Sequence, residues 1–205
     1  MLPPVQLDIT KPETLLPAFQ DAKVVVSLVG LLAGTSDEFD KVQWKGAENV
    51  ARAAKAINAK LVHISAIGAN ANSNIPYMRT KGLAENAVFH FCPDATVIRP
   101  SLVFGPDDDF FNVVPLHIQL LFIAELSFQK FSRLSRFFPF LPVFAGGKSR
   151  FQPVFVHDVA RAVEVITRHD GKSKDPYGGK IIEAGGPEGE IYTDMLYPYG
   201  SQDIK

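Results

Sequence analysis

The chain has 205 residues, 46% of them hydrophobic and 21% charged, with a formal net charge of -1. That is enough apolar material for one substantial core with a small satellite lobe. Lysines and arginines are scattered rather than blocked, so no basic face for nucleic acid is expected. The single Cys92 cannot form an internal disulfide, which fits a reducing compartment, and its apolar flanks make it a core residue. The opening Met-Leu-Pro-Pro has neither the basic and apolar runs nor the amphipathic arginines of a targeting peptide.

In chain order, Val5 to Ile9 is expected to form a short strand, and Thr10 to cap a helix with Pro12 and Glu13 in its first turn. Lys23 to Val29 is a β-branched apolar run ending at Gly30, the pattern of a strand buried on both faces of a parallel sheet. Asp37 or Asp40 can start a long helix through Ile57, on which Phe39, Val42, Ala47, Val50, Ala54 and Ile57 keep a helical period. A second buried strand, Lys60 to Ile64, ends in Ser65, and a helix is expected over Pro76 to Phe91. Ala95 to Ile98 reads as a strand, Gln152 to Val156 as a short one, and Asp158 as the cap of a helix over Val159 to Arg168. Lys180 to Ala184 is the last strand, closed by Gly185-Gly186-Pro187, and beyond Tyr192 the pattern stops. Strands alternating with helices at this spacing indicate right-handed βαβ units.

Two features depart from a finished domain of this type. The sequence opens on what reads as an internal strand, and no glycine-rich phosphate turn occurs in it, so the first strand-helix unit is expected to be missing. Val113 to Gln129 is apolar nearly all round and lacks caps. Removing it joins Phe110 to Phe131, Leu134 and Phe138 in one helical stripe. Three readings fit: a translated intron, with Val as a GT codon and Gln as CAG at its ends; an ordinary buried helix; or an amphipathic surface segment. His117, Gln119 and Glu125 in a run this short argue against a membrane span. The expected organisation is a nucleotide-binding domain at 1–112 and 151–186, the insert at 113–129, part of a small C-terminal lobe at 130–150, and an irregular tail at 187–205.

One helical turn separates Tyr77 from Lys81, so both side chains leave the same face. A neighbouring ammonium favours the phenolate, so the expectation is a lowered tyrosine pKa and an acid/base pair able to work beside a nicotinamide. The pair opens a helix that follows a strand ending in Ser65, and ligands of open α/β sheets bind at the carboxyl ends of strands. Ser65 can hydrogen-bond a substrate or cap its strand. Gly30 and Gly68, each just past a strand, either admit a cofactor or serve as turns. His157 has no second ligand at metal spacing and is a surface or capping residue; no metal is expected. Asp107 to Asp109 read as a solvated helix start. Arg133, Arg136, Lys148 and Arg150 can form a basic patch for a partner or for lipid headgroups, or a solvated face.

Taken together, Asp8-Ile9, Val29-Gly30, His63-Ile64-Ser65-Ala66-Ile67-Gly68-Ala69, Tyr77-Met78-Arg79-Thr80-Lys81, Ile98-Arg99-Pro100-Ser101-Leu102-Val103-Phe104-Gly105-Pro106, Gly147 to Val154 and Asp158-Val159-Ala160 resemble the extended, atypical branch of the short-chain dehydrogenase/reductase superfamily. Within it they are most similar to the NADPH-binding accessory subunits of mitochondrial respiratory complex I and their bacterial relatives. The resemblance implies an α/β, doubly wound parallel-sheet Rossmann fold, here N-terminally truncated, with a small C-terminal lobe. It implies NADP or NAD as cofactor, with Asp8 facing the adenine, Gly30 lining the site and Tyr77 and Lys81 holding the nicotinamide ribose. Pro100, Ser101, Leu102 and Val103 would pack beside the nicotinamide, and Tyr77, Lys81 and Ser65 would be the catalytic set. Its further implications are partners in respiratory complex I or a quinone-synthesis assembly, peripheral membrane association, and a place on the matrix side of the mitochondrial inner membrane.

Departures from the pattern of active members bear on turnover. Ala66 and Ile67 follow Ser65 where a second Ser or Thr is usual, and Gln43 stands where many members carry Asn. Two functional readings follow: a nucleotide-binding accessory protein without turnover, and an active oxidoreductase or epimerase/dehydratase using Tyr77 as acid/base. A third is a fragment that does neither. Without a glycine-rich turn the pyrophosphate lacks its backbone donors and helix dipole, so weak dinucleotide affinity is expected of these 205 residues.

Overall fold

β-branched runs bounded by turn residues set up the framework. The computed structural model describes residues 4–106, 150–168, 175–187 and 190–191. The insert at 113–129, the segment 130–149, Asp107 to Asp109 and most of the tail lie outside the described residues. The strands are β1 (Val24–Ser27), β2 (Lys60–Ile64), β3 (Thr96–Pro100), β4 (Val103–Phe104), β5 (Arg150–Phe151), β6 (Val154–Phe155), β7 (Lys180–Ala184) and β8 (Glu190–Ile191). Helices are α1 (Leu15–Phe19), α2 (Ser36–Glu38), a π-helical stretch (Phe39–Lys45), α3 (Gly46–Ala56), α4 (Pro76–Phe91) and α5 (Val156–Thr167). Four strands form one parallel sheet in the order β1-β2-β3-β7, with Ser27 opposite His63, Ile64 opposite Ile98 and Pro100 opposite Ala184.

Successive strand residues point to opposite faces, and both faces are covered. On one, Val25, Leu61 and Val97 pack with Leu15, Val50, Ala51, Ala54 and Val88 from α1, α3 and α4. On the other, Val62 and Ile98 pack with Ile166 and the partly buried Val163 of α5. This is the doubly wound Rossmann arrangement expected from the sequence. The chain divides into two compact units, Met1–Pro100 with Arg161–Ala184, and Ser101–Ala160 with Gly185–Lys205. The first holds the parallel sheet; the second holds the pairs β4 with β6, parallel, and β5 with β8, antiparallel.

Several boundaries differ from the sequence reading. Residues 4–8 form no strand: Val5 is 65% exposed, and no described strand lies beside it to complete a ladder. Thr10 caps no helix; a 3-10 turn, Pro12–Thr14, precedes α1, and Asp8 caps the approach instead. The long helix starts earlier than Asp37, because Thr35 accepts from Glu38 N while the Glu38 carboxylate accepts from Thr35 N, a reciprocal capping box. The short strand expected over Gln152 to Val156 is confined to Val154 and Phe155, and α5 begins at Val156, leaving Asp158 inside its first turn.

The loop between β2 and α4 lies directly on the helix. Asn70 N donates to Met78 O at 3.0 Å, and a Cβ on Gly82 would stand 2.2 Å from Ala71 N and 2.5 Å from Asn70 C. A helical glycine is ordinarily improved by alanine, by up to about 1 kcal/mol. Here backbone occupies the space, so Gly82→Ala is expected to destabilise by a net of about 1–3 kcal/mol in urea unfolding. Gly46→Ala, whose Cβ would meet only the Ile9 side chain and its tip at 2.4 Å, should cost less because that tip can turn away.

Candidate functional site

Helical periodicity brings Tyr77, Lys81 and Glu85 onto one stripe of α4, from which Lys81 and Glu85 reach the carboxyl ends of the first three strands. Lys81 is buried, and its Nζ donates to Ile64 O at 3.1 Å and to Val29 O at 3.4 Å, bridging the end of β2 and the loop that leaves β1. Gly30 lies directly beside it: a Cβ there would stand 3.1 Å from the ammonium, which would have to shift by a few tenths of an ångström. Lys81 and Gly30, both expected in the site from sequence, are therefore brought together at the strand rim.

Gln43, noted in the sequence as a departure, is the clamp of this rim. It is fully buried; its Oε1 accepts from Leu31 N at 3.1 Å, and its Nε2 donates to Tyr77 O at 3.0 Å and Thr80 Oγ1 at 2.9 Å. One carboxamide thereby joins the loop after β1 to the first turn of α4. The π-helical stretch that carries Gln43 also places Phe39 edge-on to the Tyr77 ring, with centroids 6.0 Å apart.

Ser65 is spoken for within the protein. Its hydroxyl donates to the Glu85 carboxylate, which is held two-pronged by Arg99, with Nε at 2.9 Å and Nη2 at 2.6 Å. Arg99 Nη1 also lies 3.6 Å from Glu183 on β7. Sequence reading missed Glu85. The signal was its position one further turn beyond Lys81, but its partners sit on β2 and β3 and only the fold reveals them.

The remaining predicted residues are placed as follows. Asp8 accepts from Thr10 N at 2.9 Å and Thr10 Oγ1 at 2.8 Å, and these bonds, with Lys11 nearby, hold its carboxyl below the usual range. Pro100 ends β3, and its carbonyl accepts from Ile67 N at 3.0 Å. Ser101, Leu102 and Val103 belong to the second unit, where Leu102 O accepts from Val154 N and Val103 pairs with Val154. Gly68 has φ +86°, so its turn role is conformational.

The direction of the Tyr77 shift differs from the lowering expected from sequence. Burial pushes the Tyr77 phenol up, not down, since the Lys81 ammonium is turned towards the strand carbonyls. Lys81 itself is pushed down to about 8 by burial, with Glu85 opposing the shift. His63, wholly buried behind it on β2, is pushed down to about 3 by burial and then by the Lys81 charge. Two of the three ammonium protons are engaged by carbonyls, and the Tyr77 hydroxyl makes no hydrogen bond among the described residues.

Fold and rim together define a Rossmann protein of the nicotinamide-dinucleotide class. Residues 2–179 match the NAD dependent epimerase/dehydratase family, and the chain belongs to it. Over 203 residues it is 30% identical to the mitochondrial NADH dehydrogenase (ubiquinone) 1 alpha subcomplex subunit 9 of Arabidopsis thaliana, covering 94% of this chain and 45% of that protein. The protein of the same name in Dictyostelium discoideum is 27% identical, with 94% and 48% covered. The chain thus spans about half the length of the curated relatives it matches. Among solved structures, the dTDP-4-dehydrorhamnose reductase of Bacillus anthracis, in complex with NADP, superposes with a TM-score of 0.71 at 16% identity, covering 94% of this chain and 67% of that one. At that identity the likeness establishes the fold.

The His63 environment has a consequence for acid stability. An unfolded chain protonates His63 near 6.5, the folded chain only near about 3. Stability is therefore complete above 6.5 and falls as the pH drops through that window, by about 1.4 kcal/mol per pH unit for one such group. Unfolding free energies from urea titrations at about pH 7.5 and about pH 5 should differ by a loss of ~2 kcal/mol, and His63→Gln should remove most of that slope.

Proposed function

We propose that this chain is the nucleotide-holding region of an accessory subunit of mitochondrial respiratory complex I, binding NADPH or NADH as a structural ligand without turning it over. Lys81 and Tyr77 would hold the nicotinamide ribose, Gly30 would line the site, and Pro100 would close it at the end of β3. When bound, the cofactor brings hydride chemistry; the residues around it are arranged to hold it. The observation that carries the non-catalytic reading is the Ser65 hydroxyl committed to Glu85, with Ala66 and Ile67 offering no replacement. A phenol pushed up by burial is also a poor base at neutral pH.

The names and identities of the plant and slime-mould relatives support the complex I reading. On it the protein works on the matrix side of the inner membrane, docked to neighbouring subunits and peripherally to lipid; a quinone-synthesis assembly is the other setting in which such a holder would serve. Among the described residues no helix is long and apolar enough to cross a membrane. The second reading, an oxidoreductase or epimerase with Tyr77 as acid/base, is favoured by the retained Tyr77 and Lys81.

Calorimetric titration with NADPH separates the readings. These 205 residues should bind weaker than about 1 μM, and a version extended by a glycine-rich phosphate turn should bind more tightly. Within the extended protein, Lys81→Met should weaken NADPH by about tenfold or more, or ~1.4 kcal/mol, and Tyr77→Phe, which removes one ribose contact, by a smaller factor of about threefold to fivefold. No variant should transfer hydride. Substrate-dependent NADPH oxidation that disappears in Tyr77→Phe would defeat the holder and establish the enzyme.

A further inference from the structure

Behind the ammonium lies a polar pair with no assigned role. Among the described residues, the buried side-chain polar atoms without a hydrogen-bond partner are Ser27 Oγ, His63 Nδ1 and His63 Nε2. They are neighbours: Ser27 on β1 is in register with His63 on β2. Both side chains share the sheet face of Val25 and Leu61, two residues earlier on each strand, which is the face covered by α3 and α4. Ser27 is 4% exposed and His63 1%, so bulk solvent reaches neither.

Lys81 sits one step further along the same strands, at the carbonyls of Val29 and Ile64. After those two bonds its ammonium has one proton to give. A neutral imidazole offers one donor and one acceptor, and a serine hydroxyl one donor and two acceptors. One water between them can accept from the ammonium and donate to Ser27 Oγ and to the unprotonated ring nitrogen, the ring N–H pointing away from it. Three polar partners are what a typical buried water has.

We propose that Ser27 and His63 bind one internal water between β1 and β2, and that through it the neutral imidazole steadies the Lys81 ammonium, making His63 a positioning residue for the lysine at the rim. The ionisable groups that interact with Lys81 are His63 from β2 and Glu85 from α4, with Glu85 already engaged by Arg99 and Ser65, while Tyr77 lies one turn earlier on α4. Gln43 closes the remaining side without charge. His63 contributes a dipole and a lone pair, and because burial keeps it neutral it adds no repulsion.

NMR on the nucleotide-free protein tests this. Water-to-protein cross-relaxation should appear at the His63 ring protons, and the Lys81 Cε/Hε resonances should titrate near 8. His63→Leu removes both ring nitrogens and should lower the Lys81 midpoint by about one pH unit, a tenfold weaker hold on its proton; His63→Gln, which keeps a donor and an acceptor, should restore most of it. Should His63→Leu fail to fold, Ser27→Ala should weaken the water signal and lower the same midpoint by a smaller amount. A direct Ser27–His63 hydrogen bond with no water signal, or a Lys81 midpoint unmoved in His63→Leu or Ser27→Ala, overturns the proposal. None of these readouts involves a nucleotide, so they succeed or fail apart from the cofactor reading.

Discussion

A charged amine taken out of water and held by two strand-end carbonyls is the interaction on which the rest of this rim depends. Lys81 Nζ reaches Val29 O and Ile64 O only because β1 and β2 are parallel and in register, so that their carboxyl ends finish side by side. An isolated buried ammonium would shed its proton. Carbonyl bonds and the Glu85 carboxylate oppose that tendency, and the group is pushed down only to about 8. At neutral pH it remains largely charged, a donor with a fixed direction. Everything nearby respects that position: Gly30 leaves room for it, and Gln43 fixes the turn of α4 from which Lys81 projects.

A single helical stripe here serves three different purposes. Tyr77, at the first turn, presents a hydroxyl beside the rim; Lys81, one turn on, ties two strands; Glu85, a further turn on, faces Ser65 and Arg99. The third position decides how the first two can act. A two-pronged carboxylate–guanidinium pair with almost no exposure on the carboxylate side is costly to open, since either partner left alone would be an uncompensated buried charge. Ser65 donates its hydroxyl to that carboxylate. Its bond joins α4 to the end of β2, as the carboxamide of Gln43 joins α4 to the loop after β1.

Where the sequence was legible, the cause was local. Lys60–Ile64, Pro76–Phe91 and Lys180–Ala184 fall where the apolar runs and the N-terminal proline of α4 put them. The Thr35-Ser36-Asp37-Glu38 capping box was also present in the letters, yet the hydrophobic period begins after it and drew the helix start inward. Val5 to Ile9 has strand composition but no ladder partner among the described residues, and strand propensity is largely a statement about partners. At the site, Tyr77, Lys81 and Gly30 could be found by spacing. Glu85, the clamping role of Gln43 and the reversed shift of Tyr77 could not, because each depends on contacts between elements 12 to 37 residues apart.

Two demands on the rim pull in opposite directions, and the proposed holding role draws on only one of them. Proton transfer needs a phenol that ionises readily and a second hydroxyl facing the substrate. Retention of a ligand needs rigid donors, satisfied neighbours and little solvent. Burial raises the phenol, the ammonium is spent largely on strand carbonyls, and the serine is bonded inward to a carboxylate already paired with arginine. Each of these choices stiffens the rim and subtracts from proton transfer. On the proposed reading, a scaffold of the epimerase/dehydratase family would serve for holding while keeping both Tyr77 and Lys81.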